Sequence, residues 1–492
     1  MSIRERALTV IDLIAALAGS PSPSISVPAV RVNSAVIDSR LATPGCLFVA
    51  LRGSQLDGHD FIGEALANGA VAVIAERLPA LPSHKVWVTE DLEVHRIDEA
   101  FCLITSDSLA ALQQAAAHWR RKLDVRAIGV TGSVGKTMSK EVIAGVLRRR
   151  YRTLKSEGNY NNEIGLPLTL LHLTSAHERV VLEMGMYDLG EIAALAEIAL
   201  PQVGVVTNVG PTHLERLGTM ERVAQAKAEL PMALPQAEEK GVAVLNADDP
   251  RVRAMADQTS AHVFLYGLRA DADLWANDIE SQGLEGIRFR FHYGRETAHA
   301  QVPLLGRHSV HTALSAAAVG LVEGLSWEEI LSGLQDQSGQ LRLAAVEGPK
   351  GSIILDDTYN ASPASCLAAL NLLAELDGRR IAILGDMYEL GRYEEEGHRL
   401  VGRRARNVVD LLIAVGSLGR IIGEEALHAG MNPETVHLAA SKDRATELVQ
   451  ALLQGGDVLL VKGSRGMELE TIVSALTTPV ARDDPGTGGK AP

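Results

Sequence analysis

Short uninterrupted apolar runs alternate along this chain with longer stretches in which apolar residues return every three or four positions. VAVIA at 71–75, RAIGVT at 126–131, VVLEMG at 180–185, VGVVTNVG at 203–210 and GVAVLNADDP at 241–250 are of the first kind. Such runs, bounded by glycine or polar residues, predict buried strands. Helices are predicted where the spacing lengthens: Val10, Leu13, Ile14 and Leu17; Leu109, Leu112, Ala116 and Trp119; Val142, Ile143, Val146 and Leu147. Strand followed by helix, many times over, predicts α/β domains with parallel sheets. Ligands of open parallel sheets collect outside the carboxyl ends of the strands. That rule places Thr131, Glu183, Asn208 and Asn246 on one rim.

Three domains are expected. The first, residues 1–104, is a small α/β unit that includes KVWVTE at 85–90, and a boundary falls before the helix that starts at Ser108. The second, 105–335, holds the strands named above and ends near the weakly periodic LSGLQDQSGQLR at 331–342, which reads as a linker. The third, 336–482, alternates SIILDD, RIAILGD, LLIAVG and VLLVKGS with helical stretches and is expected to be Rossmann-like, though no GxGxxG occurs. Residues 483–492, within ARDDPGTGGKAP, read as a disordered tail.

Composition narrows the function classes. The 492 residues carry 47 basic and 61 acidic side chains, net −14, which argues against nucleic acid as a bulk partner. Three widely separated cysteines, Cys46, Cys102 and Cys366, give neither a disulfide framework nor a zinc spacing. No uncharged run is long enough to span a membrane, and Asp12 interrupts the apolar N-terminal stretch, so a cytoplasmic monomer is expected.

Chemistry concentrates in RAIGVTGSVGKT at 126–137. A strand that breaks into glycines and ends on Gly-Lys-Thr before a helix presents backbone N–H groups to phosphates, with the lysine on the terminal phosphates and the threonine on magnesium. Val130 stands where the common pattern has its first glycine, and Gly132 supplies one later. Glu183 is placed for a metal ligand at a strand end. Taken alone, His213 reads as a structural hydrogen-bonder and Lys227 as a solvated helix lysine. Ser39-Arg40 reads either as a diphosphate or uracil contact or as a capped surface turn. Asn159, Asn161 and Asn162 read either as binders of a peptide or sugar or as caps. In the third domain Asp357, Asp386, Lys462, Ser464 and Arg465 stand at strand ends.

In order, TGSVGKT, NYNNEIGLPLTLL, LEMG, NVGPTHLE, AKAE, NADDP, GRH, DDTYNASP, GDMYELG and KGSRGMELE resemble the motifs of the Mur ligases, ATP-dependent amide ligases, and most closely their MurF type. That resemblance implies an N-terminal domain for the UDP end of UDP-N-acetylmuramoyl tripeptide, a central ATPase domain, and a C-terminal domain that closes over the site. It implies ATP and Mg²⁺, at two sites, as cofactors and D-alanyl-D-alanine as the incoming nucleophile. Residue by residue, it implies ATP contacts at Thr131, Gly132, Ser133, Val134, Gly135, Lys136, Thr137, Asn246, His308, Ser309, Thr312, Arg342 and Asp357. Metal ligation is implied at Thr137, Glu183, His213 and Lys227, the last as a carbamate, with Lys136 catalytic beside Glu183, His213 and Lys227. Substrate contacts are implied at Ser39, Arg40, Asn159, Asn161, Asn162, Tyr359, Asn360, Asp386, Lys462, Ser464 and Arg465. Ser309 and Thr312 replace two asparagines usual at the adenine, Met138 a threonine, Ala228 a glycine and Ser362 an asparagine. An amide ligase with another nucleophile, and an ATP-binding protein without catalysis, are the alternatives.

Overall fold

The computed structural model describes residues 6–18, 30–53, 55–77, 86–88, 94–95, 101–336 and 344–477. It is an α/β protein with three parallel-rich sheets. The chain forms two compact units: 1–280 with 288–303 and 308–340, and 281–287 with 304–307 and 341–492.

Two sheets lie in the first unit. The N-terminal one orders its strands Ser34–Val36, Cys46–Val49, Ala72–Ala75, Phe101–Ile104, Val86–Val88 and Val94–His95, parallel except for the final pair. Cys46–Val49 and Ala72–Ala75 are buried on both faces, the reason they appear as continuous apolar runs. The helix Val10–Leu17 starts in a Thr9–Asp12 capping box. Ser108–Arg121 starts where Asp107 accepts from Leu109 and Ala110 N–H and buries Trp119, whose indole N–H donates to Leu173 O at 2.9 Å.

The central nine-stranded sheet runs Glu296–Val302, Ile287–Tyr293, Leu274–Ser281, His262–Gly267, Val242–Asn246, Val203–Val206, Arg126–Thr131, Arg179–Glu183 and Thr153–Lys155. Arg126–Thr131 pairs in parallel with Val203–Val206 on one side and Arg179–Glu183 on the other. From Arg126–Thr131 the chain first moves outward to Thr153–Lys155, returns to Arg179–Glu183, and then crosses to Val203–Val206. The connections after these strands therefore diverge, which opens a crevice at their carboxyl ends. Thr131, Glu183 and Thr207 mark that crevice.

The first four residues of the expected linker are helical instead. Residues 331–334 complete the helix Trp327–Leu334, which a Ser326–Glu329 capping box starts and which buries Ile330 and Leu334. In the second unit the order is Ala344–Glu347, Ile353–Asp357, Val458–Lys462, Arg380–Leu384, Leu411–Val415 and Val436–Ala439, with only the first strand antiparallel. Its core lies on both faces of this sheet, around Leu355, Leu370, Leu384 and Leu412 on one side and Ile354, Ile383, Ile413 and Val461 on the other. Arg342 and residues 483–492 lie outside the described residues.

Candidate active site

The turn from strand Arg126–Thr131 into helix Lys136–Leu147 is braced from behind. Gly132 and Gly135 adopt φ of 148° and 84°, and a Cβ on Gly132 would lie 1.9 Å from Thr207 Oγ1. Only glycine fits such a position. Ser133 N–H donates to Asn208 O at 3.0 Å, and Val134 N–H to Asn208 Oδ1 at 2.9 Å. Val134 O accepts from Thr207 Oγ1 and Asn208 Nδ2, each at 2.8 Å. Lys136 Nζ folds back to donate to Gly132 O at 2.7 Å. At the start of the following helix Gly135 offers no capping side chain, and the first turn holds no acidic residue. Such a terminus suits an anion.

Beneath the turn sits a buried carboxylate. Glu183 is wholly enclosed at the end of its strand. Its Oε2 accepts from Thr137 Oγ1 at 2.6 Å and its Oε1 from Asn161 Nδ2 at 2.9 Å, while its N–H donates to Ser156 Oγ at 3.2 Å. Thr131 Oγ1 donates to Met184 O at 2.8 Å, which ties the two strand ends together. Asn162 caps the helix Gly165–Leu171, its Oδ1 accepting from Gly165 N–H at 2.9 Å. Of the asparagine cluster, then, one member orients a carboxylate, one caps a helix, and Asn159 is exposed.

Lys227, on the helix Met220–Met232, is only 2 % exposed. The solvated-face reading of this residue is overturned. Burial first, and the Lys136 charge second, hold its ammonium well below the usual lysine range. His213 takes a left-handed backbone, φ 55°, at the start of the short helix Leu214–Leu217, a conformation uncommon for a residue with a Cβ. The Tyr187 ring meets its imidazole edge-on at 5.1 Å. Asn246 is buried, its amide N–H donating to Thr207 O at 2.8 Å and its Oδ1 accepting from Asp248 N–H at 3.0 Å. Ser309 is buried and His308 exposed at the turn before helix Val310–Val322, on which Thr312 is half-buried. Between these two hydroxyl residues His311 Nε2 lies 2.8 Å from Asp248 Oδ2.

In the N-terminal sheet's unit, Ser39 Oγ donates to Glu64 Oε2 at 2.6 Å, and exposed Arg40 folds onto Asp38. The second unit separates its candidates into two groups. Lys462 Nζ pairs with Asp357 Oδ2 at 2.7 Å and donates to Asn360 O at 2.8 Å, and Arg465 lies 5.4 Å over the Tyr359 ring. Asp386 Oδ1 instead accepts from Leu418 and Gly419 N–H at 2.9 and 2.7 Å, at the start of helix Gly416–His428. Ser464 N–H donates to Asp386 O at 3.0 Å, and Ser464 Oγ accepts from Tyr388 N–H at 2.9 Å.

Residue typing alone missed Ser156, Thr207 and Lys140. The one available signal was position: Lys140 lies three residues after Thr137, on the same helix face. Among the described residues no group of three or more His, Cys, Asp or Glu side chains forms a metal cage. Nor, among them, is any helix long and apolar enough to cross a membrane.

The chain resembles known proteins in sequence and in fold. Residues 31–120 match the Mur ligase family catalytic domain, 130–320 the Mur ligase middle domain, and 341–465 the glutamate ligase domain of Mur ligases. A UDP-N-acetylmuramoyl-tripeptide–D-alanyl-D-alanine ligase of Bacillus subtilis (strain 168) is 36 % identical, across 90 % of this chain and 93 % of its own. A crystal structure of MurF from Acinetobacter baumannii superposes with TM-score 0.79 at 28 % identity, covering 96 % of this chain and 99 % of that one. A MurF ligase from Thermotoga maritima, solved in complex with ADP, gives 0.74 at 28 % identity, covering 90 % and 97 %. With three domain matches in sequence order around a braced phosphate turn and its buried carboxylate, the chain belongs to the Mur ligase family.

Proposed function

We propose that the chain joins D-alanyl-D-alanine to UDP-N-acetylmuramoyl tripeptide at the expense of ATP, forming the UDP-pentapeptide precursor of peptidoglycan. The observation that carries this choice of substrates is the 36 % identity, over nine-tenths of the chain, to a ligase named for them, and the Thr137–Glu183–Asn161 constellation under the phosphate turn, with Lys136 and the buried Lys227, supports the ATP chemistry. Residues 1–104 are assigned to the UDP end of the acceptor, 105–335 to ATP, and 336–482 to the dipeptide. The protein is assigned to the cytoplasm, as a monomer.

A carboxylate resists nucleophiles because it is anionic and has no leaving group. Transfer of the ATP γ-phosphoryl to the tripeptide carboxylate gives an acyl phosphate and ADP. The dipeptide amine then adds to the acyl carbon, and the tetrahedral adduct expels phosphate to leave the amide. Two anions meet in the first step, so fixed positive charge is the main requirement. Lys136 supplies it at the terminal phosphates, where N–H groups at the start of helix Lys136–Leu147 also point. Lys462, Asp357, Asn360, Asp386, Ser464, Tyr359 and Arg465 are assigned to the dipeptide and acceptor peptide. Asp357 is also assigned to the ribose, and Arg342 to the phosphates. Asn246, His308, Ser309 and Thr312 are assigned to the nucleoside, where short hydroxyls stand in for amides.

Magnesium fits the residues present. Glu183 and Thr137 offer hard oxygen donors, and the absence of an all-protein cage among the described residues agrees with an ion held by one or two carboxylates plus phosphates. Glu183, Thr137, His213 and Lys227 would hold it; when bound, it neutralises charge on the transferring phosphoryl group. Lys227 fits carbamylation because only a neutral amine attacks carbon dioxide, and burial beside Lys136 favours the neutral form. The new N–C bond forms with loss of the amine proton, and the carbamate anion turns a buried neutral amine into a ligand for a cation.

Purified protein supplied with UDP-N-acetylmuramoyl tripeptide, D-alanyl-D-alanine, Mg²⁺ and ATP is expected to release phosphate and UDP-pentapeptide in equal amounts. Phosphate without pentapeptide would sink the assignment, and product with a different amino acid or dipeptide alone would reassign the nucleophile.

A further inference from the structure

Lys140 is fully enclosed on the phosphate-turn helix, and none of the roles assigned above uses it. An ammonium has three N–H donors. Here it donates to Ser156 O at 2.7 Å and Gly158 O at 3.2 Å, and it forms an ion pair with Glu141 Oε1 at 3.1 Å. Glu141 is shared with Lys155, which pairs with its other oxygen. Glu183 Oε2 stands 4.0 Å from the same ammonium. Removing a cation this far from water is costly even when it is well paired, and apolar packing of the same volume would be cheaper. Besides Thr137, two groups fix Glu183, and the segment that Lys140 ties down supplies both: the Ser156 hydroxyl on its N–H and, five residues on, the Asn161 amide on its Oε1.

We propose that Lys140 is a positioning residue for Glu183, fixing residues 156–161 against the phosphate-turn helix so that Ser156 holds the Glu183 backbone, and Asn161 its carboxylate, in the cation-binding pose. The pinned carbonyls, not the 4.0 Å approach alone, transmit the effect. A Lys140 that acts in this way governs how well Glu183 serves a cation, and acts through Asn161. This inference rests on the reading that Glu183 serves the nucleotide's cation.

Binding of Mn²⁺ to the full-length protein with ADP, followed by electron paramagnetic resonance, tests it without turnover. Lys140→Met is expected to weaken Mn²⁺ binding by about 10- to 100-fold, the usual cost of losing an outer partner of a metal ligand. Added to Asn161→Ala, it should weaken binding little further, since both changes release the same carboxylate. A residue that only stabilises the fold would lower the melting temperature and leave Mn²⁺ affinity at the wild-type value, and that result overturns the proposal. Should Lys140→Met fail to fold, Lys140→Gln decides, because its polar but shorter side chain falls short of the Ser156 and Gly158 carbonyls: weaker binding supports the proposal and wild-type binding overturns it. Glu183→Ala separates the two readings. If that variant binds Mn²⁺ as wild type does, the cation reading falls and this one with it. If it loses Mn²⁺ while the Lys140 variants do not, only this proposal falls.

Discussion

Each compact unit buries a lysine near its polar strand ends, Lys227 in the first and Lys462 in the second, both 2 % exposed. Lys462 meets a carboxylate and a carbonyl, Asp357 Oδ2 and Asn360 O. Lys227 meets Lys136, a charge of its own sign, and its ammonium is disfavoured. Burial is therefore the same and chemistry opposite. A paired ammonium is a fixed cation that organises a loop, whereas an amine that burial and a neighbouring cation keep from its proton has the form that the proposed carbamylation requires. Partners, more than enclosure, set the role of a buried lysine.

Activity offers the strongest way to break this contrast. Lys227→Ala is expected to lower turnover by about 10²- to 10³-fold, the scale for removing one preorganised electrostatic group, and added short-chain carboxylates should restore part of it. Steady-state assays with and without acetate check this; unchanged activity would return Lys227 to a structural role.

Stability comes next and should separate the two lysines in sign. Lys462→Met removes the ammonium that donates to Asp357 Oδ2 and Asn360 O and is expected to cost about 1–3 kcal/mol in urea unfolding. A second change, Asp357→Leu, should recover part of that loss, because the carboxylate that Lys462 neutralised goes with it. Lys227→Met is expected to raise stability by about 1–2 kcal/mol, since it removes an amine that burial and Lys136 already penalise.

The same contrast has a pH dependence. With its folded-state pKa below the 10.5 of an ordinary lysine, Lys227 binds its proton more readily in the unfolded chain. Wild type should therefore gain stability as pH rises from the folded-state value toward 10.5, a slope that Lys227→Met lacks. A smaller effect of the same kind belongs to His398 in the second unit. Its Nδ1 lies 2.6 Å from Glu394 O and its Nε2 accepts from Met387 N–H at 3.0 Å, and burial pushes its pKa down. Below its ordinary value of 6.5 the unfolded chain takes up a proton that the folded one resists, so stability should fall with pH there by no more than about 1.4 kcal/mol per unit. His398→Gln should flatten that limb of a pH series of melting temperatures.

Much of the fold was legible because it rests on local rhythm. Helices at Val10–Leu17, Ser108–Arg121 and Lys136–Leu147, and strands at Arg126–Thr131, Arg179–Glu183 and Val203–Val206, stand where the apolar spacing put them. The strands between His262 and Val302 were not read, although Ile287–Tyr293 alternates in burial over its first five residues. Charged residues on an exposed face broke up the continuous apolar runs that marked the other strands. The phosphate turn was legible because its motif is contiguous. Lys227 was not, since nothing in AKAE says which face of its helix is covered, and that depends on strands and turns distant in sequence. Nor was the division between Asp386, which accepts from a helix terminus, and Lys462, which pairs with Asp357. Both stand at strand ends, and only the three-dimensional neighbourhood assigns their partners.

The bracing of the phosphate turn by Thr207 and Asn208 has a thermodynamic consequence. Hydrogen bonds from Ser133 and Val134 to Asn208, and to Val134 O from Thr207 and Asn208, hold the turn in shape through the protein's own groups. The conformational entropy of that turn is thus lost when the chain folds, not when a nucleotide arrives. Association then has chiefly the ligand's own freedom to overcome, the hallmark of a preorganised receptor.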